Sequence, residues 1–87
     1  MSNDFTAARW YEIADDSVNL INGVNAGTWT ENDFANLTQQ EKNDMMQRNI
    51  DSLNVILDQQ VVIDDSGSKT SYTTAITTAE TYISNNS

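Results

Sequence analysis

Thr38-Gln39-Gln40-Glu41-Lys42-Asn43-Asp44-Met45-Met46-Gln47-Arg48-Asn49-Ile50-Asp51-Ser52-Leu53-Asn54-Val55-Ile56-Leu57 carries its apolar side chains at helical intervals. Met46, Ile50, Leu53 and Leu57 are spaced by four, three and four, with Met45 and Ile56 beside them. That period gathers them on one face of an α-helix. Thr38 and Glu41 stand as a capping box: the threonine oxygen accepts from the Glu41 amide, and the glutamate reaches back to the Thr38 amide. A long helix starting at 39 follows. On its outer face Asp44, Arg48 and Asp51 are spaced for two ion pairs sharing one arginine, each a few tenths of a kcal/mol at most.

Upstream, residues 1–4 read as a short polar lead, and a helix runs from Phe5 to about Gly23. Ala7, Tyr11, Ala14, Val18 and Ile21 form one apolar row, and Trp10, Ile13, Leu20 and Val24 form a second beside it. Together they make a broad core-facing surface, with Glu12, Asp16 and Asn19 opposite. Asn22-Gly23 is the expected left-handed stop. Asn25-Ala26-Gly27-Thr28 reads as loop. Thr30 with Asp33 resembles a capping box, and Trp29 with Phe34 occupies the positions of a hydrophobic staple, predicting a short helical turn at 31–36.

Downstream, residues 59–63 admit a helical continuation or a short extended segment. Three successive β-branched residues, Val61-Val62-Ile63, favour the second. With no second strand to pair it, the segment reads as an extended arm packed on the bundle. Residues 64–68 read as a turn. From Tyr72 the apolar positions 72, 75, 76, 79, 82 and 83 again follow a helical period, although Thr73, Thr74, Thr77, Thr78 and Thr81 are poor helix formers. Residues 84–87 are expected to fray. The expected fold is all-α: one domain over 1–87, a small bundle of three main helices plus one short helix, the first and third main helices antiparallel.

Composition restricts the function classes. A chain of 87 residues buries roughly 60–65% of its unfolded surface, so its stability is modest. With no Cys and no His, thiolate chemistry, the commonest general base and the commonest transition-metal ligand are all missing. The N-terminus lacks the basic and apolar regions of a signal peptide, and no apolar run approaches the roughly 20 residues of a membrane span. The chain therefore reads as soluble. Thirteen acidic residues against four basic ones, Arg9, Lys42, Arg48 and Lys69, leave a net charge of −9. That charge opposes direct binding to nucleic acid or anionic lipid and favours solubility or a basic partner.

No catalytic or metal-binding constellation emerges. If Gly67 were the sixth position of a calcium loop, Val62 would be the first and Thr73 the twelfth, so both ends of the ligand pattern fail. Glu12, Asp15 and Asp16 fit a solvated helix face, because neighbouring residues on a helix point about 100° apart. Serines and threonines lack a histidine or suitable lysine to activate them. Three glycines, Gly23, Gly27 and Gly67, form no phosphate loop. The sequons at Asn36 and Asn85 matter only in a secreted chain. Trp10, Tyr11 and Trp29 are the candidate interface residues, because aromatics concentrate in small cores and in binding hot spots alike. Core packing accounts for them; the alternative is a docking face, since three amphipathic helices offer more apolar surface than so small a core encloses.

Arg9-Trp10-Tyr11-Glu12-Ile13-Ala14-Asp15, residues 44–53 and the C-terminal stretch from Tyr72-Thr73-Thr74-Ala75-Ile76 to Tyr82-Ile83 resemble small proteins of tailed phages of marine cyanobacteria. The resemblance implies a phage product, a small virion or tail-associated component, and implies no site residues. The expected function is that of a non-enzymatic structural or interaction protein, without cofactor or metal. It would work through an apolar helix face on a protein partner or a second copy, in the virion or the host cytoplasm. The alternative is a small acidic inhibitor occupying a basic groove of a host protein.

Overall fold

The computed structural model describes residues 7–31 and 33–87. The polar lead, the helix start at Phe5 and the side chain of Ala7 lie outside the described residues. Helix α1 spans Ala7–Ala26, a 3₁₀ turn spans Phe34–Asn36, α2 spans Gln39–Leu57, the single-turn α3 spans Gln60–Ile63, and α4 spans Ser66–Asn85. No strand occurs among the described residues. The chain is a small all-α bundle of three long helices and one short one.

Both apolar rows of α1 enter the core, which is centred between them on Ala14, Ile21 and Val24. Met46, Ile50, Leu53 and Ile56 supply the α2 face, Val62 the α3 contact, and Tyr72, Ala75 and Ala79 the α4 face. The Thr38–Glu41 box forms: the Glu41 amide donates to Thr38 Oγ1 at 3.1 Å and the Thr38 amide to Glu41 Oε1 at 2.8 Å. These bonds satisfy amides that the first helical turn leaves without partners.

Several local expectations are corrected. Helix α1 does not stop at Asn22-Gly23 but continues to Ala26, and Gly27 takes the left-handed conformation at φ 79°. The Thr28 amide donates to the Gly23 carbonyl at 2.9 Å and the Gly27 amide to that of Val24 at 3.2 Å. This double closure is a Schellman motif. No capping box forms at Thr30 and Asp33. Instead Asp33 is itself left-handed (φ 56°) and accepts from Asn36 Nδ2 at 2.7 Å. The ion pairs expected at Arg48 are also absent among the described residues. Asp44 and Asp51 accept from Gln40 and Gln47, each one turn earlier.

Residues 60–63 form a helical turn rather than an extended arm. An isolated arm would leave its amides without a ladder partner. As a helical turn, the segment bonds Val62 and Ile63 amides to the Gln59 carbonyl and the Asp64 amide to that of Gln60. Helix α4 begins at Ser66, six residues before Tyr72, because Asp65 acts as its cap and accepts from the Ser68 amide at 3.1 Å. Thr70, Thr73, Thr77 and Thr78 turn their hydroxyls onto backbone carbonyls of the preceding turn, and burial of Tyr72, Ala75 and Ala79 against the bundle outweighs the low helix propensity of threonine.

The first and third long helices run parallel, not antiparallel. Gln39 and Asn43 at the head of α2 bond Tyr82 and Asn86 at the tail of α4. Tyr11, near the head of α1, bonds Asp65 at the head of α4. Two chain reversals separate α1 from α4, and the second restores the direction the first inverted.

Candidate functional site

Of the three aromatic candidates, Tyr11 and Trp29 lie on different surfaces. Tyr11 is half-buried on the side of α1 facing α3 and α4. Its hydroxyl donates to Asp65 Oδ2 at 3.1 Å and lies 3.3 Å from the Val61 carbonyl. The Ser68 amide and hydroxyl, followed by Tyr11, hold the Asp65 carboxyl below its ordinary range, while burial and then Asp65 raise the Tyr11 phenol. Tyr11 thus ties α1 to α3 and α4 while remaining half-exposed. Trp10 is half-buried and packs against the core cluster.

Trp29 sits elsewhere. It follows the Schellman closure directly, and its ring lies on Gly23 in the last turns of α1. Its Nε1 is buried and has no hydrogen-bond partner among the described residues. The ring borders a groove of about 520 Å³ that runs along α1, lined by Ile13, Ser17, Leu20, Trp29 and, from α2, Asn49. Arg9, Asp16 and Glu31 stand around it.

Three local features shape this groove. Ile13 and Leu20, in the second apolar row of α1, pack against the core cluster yet remain half-buried, at the edge that lines the groove. Ser17, only 5% exposed, makes no side-chain hydrogen bond among the described residues. Asn49 directs Nδ2 to the Met45 carbonyl at 2.8 Å, which leaves its Oδ1 available as an acceptor. The lining is mixed: Ile13, Leu20 and Trp29 stand among Arg9, Asp16, Ser17, Asn19, Glu31 and Asn49.

The electrostatics around the groove are acidic. Arg9 pairs with Glu12, whereas Asp16 and Glu31 are exposed and make no ion pair among the described residues. A second hollow of about 350 Å³ lies between Asn25 and the threonines of α4. Its Thr77 and Thr78 hydroxyls are already bonded to the backbone.

The acidic loop between α3 and α4 is engaged in helix capping rather than arranged for calcium. Asp65 caps α4, and Asp64 accepts from Gln60 Nε2 at 3.0 Å. No group of three or more acidic side chains that could hold a metal occurs among the described residues. No helix among them is long and apolar enough to cross a membrane.

Of the groove residues, only Trp29 is a candidate from sequence. Ser17 carries a visible signal, because it stands between Ala14 and Ile21 on the buried side of α1. Asn49 carries none. Comparison with family models, curated proteins and solved structures finds no match to this chain.

Proposed function

We propose that the protein is a non-enzymatic structural or interaction component that docks onto another protein through the groove along α1. The observation that carries this reading is the placing of half-buried Ile13, Leu20 and Trp29 in one concave surface, with Trp29 Nε1 buried and without a hydrogen-bond partner among the described residues. Apolar area left at a groove and polar groups left without partners are both relieved when another chain covers them. The resemblance of the sequence at residues 9–15, 44–53 and 72–83 to small tailed-phage proteins supports a component of a virion or tail, acting there or in the host cytoplasm.

Affinity capture of the intact protein from phage-infected and uninfected host lysate, with mass spectrometry of the bound species, tests the role. Virion proteins captured by wild type support it. Capture of a host nuclease or polymerase alone would instead favour the acidic-inhibitor reading. Light scattering during size exclusion separates a foreign partner from a second copy.

A further inference from the structure

Resting on that docking role, we infer that the groove receives an extended basic segment of the partner, with one aliphatic side chain against Ile13, Leu20 and Trp29 and lysines or arginines beside Asp16 and Glu31. Three features of the groove specify this occupant.

Ile13, Leu20 and Trp29 are the apolar part of a mixed lining, and the volume of about 520 Å³ accommodates an aliphatic side chain together with its backbone. Ser17 and Asn49 line the groove from α1 and α2, and the Ser17 hydroxyl and Asn49 Oδ1 take part in no hydrogen bond among the described residues. A peptide backbone presents a carbonyl and an amide in alternation and so satisfies both. The charged lining selects the partner's charge: Arg9 pairs with Glu12, whereas Asp16 and Glu31 make no ion pair among the described residues, on a chain of net charge −9. An acidic segment would be repelled on approach, and a basic one steered in.

The experiment titrates the intact ¹⁵N-labelled protein with three capped heptapeptides, followed by amide and indole resonances at near-physiological salt. One alternates Lys and Leu, one alternates Glu and Leu, and one alternates Lys and Ser. The Lys–Leu peptide is expected to shift Ile13, Ser17, Leu20, Asn49 and the Trp29 indole. The Glu–Leu and Lys–Ser peptides are expected to bind at least tenfold more weakly. Asp16→Lys with Glu31→Lys, both exposed positions that leave the core intact, should weaken the Lys–Leu peptide at least tenfold. Ser17→Ala should weaken it several-fold.

Shifts spread over all carboxylate-bearing faces, or equal binding by the charge-reversed variant, would overturn the assignment. If wild type and charge-reversed variant capture the same lysate partner equally, the docking role survives and the groove is not its site. If neither captures a partner although the peptide binds at the groove, the recognition chemistry stands and the docking role fails.

Discussion

The indole of Trp29 covers Gly23 so closely that a Cβ on Gly23 would stand 2.9 Å from Trp29 Cε3. This contact explains two features together. Glycine is retained inside α1, where it ordinarily costs about 1 kcal/mol relative to alanine, and Trp29 is held as one wall of the groove. Gly23→Ala should therefore destabilise by about 1–2 kcal/mol, as overpacking does, despite the better helix propensity. Denaturant unfolding checks the sign, and a red-shifted tryptophan emission should accompany it. A stabilised Gly23→Ala with unchanged emission would show that the ring does not rest there.

Gly27→Ala is the companion case, with a different cause. A Cβ added to Gly27 would meet no atom within 4 Å, but the φ of 79° is unfavourable for an L-residue. A loss of about 1–2 kcal/mol is expected, with the Trp29 emission unchanged. Emission shifts that are equal in the two variants would mean that the Schellman closure, rather than the Gly23 contact, sets the ring.

The Tyr11–Asp65 junction should show in the acid limb of stability. Its carboxyl is held below the ordinary 3.8 by Ser68 and then Tyr11, so the folded state releases that proton more readily than the unfolded chain. The contribution is complete above the unfolded value and disappears as pH falls through the lower folded one. Melting of wild type minus Asp65→Asn, followed from about pH 6 down to about pH 2, should shrink toward acid. The difference matters more than either curve, because neutralising other carboxylates relieves self-repulsion and acts in the opposite direction.

Thr38→Ala should cost about 1 kcal/mol, since its oxygen satisfies the Glu41 amide. Thr30→Ala, at the box that does not form, should change stability by less than about 0.5 kcal/mol. Equal losses in urea unfolding would contradict the capping geometry.

Leu53 is fully buried on the core face of α2. Leu53→Ala should lose about 2–4 kcal/mol through lost transfer energy and the cavity left behind. A denaturant midpoint equal to that of wild type would place Leu53 outside the cooperative core.

The long helices and the Thr38–Glu41 cap are legible in the residues because both depend on neighbours three and four positions apart. A 3.6-residue repeat leaves the same trace in any fold, and a capping box closes within one turn. The C-terminal end of α1 and the form of residues 60–63 are not legible. Asn22-Gly23 has the composition of a stop, yet Trp29 packs on Gly23 and the closure moves to Gly27. Val61-Val62-Ile63 has the composition of a strand, yet the reversal between α2 and α4 leaves it no ladder partner, so its amides bond within a helical turn. The groove depends on tertiary structure most of all. Ile13 and Asn49 are 36 positions apart, and no local period links an aliphatic residue on one helix to an amide on another. Only the packing of α1 against α2, with Trp29 folded back over Gly23, joins them into one surface.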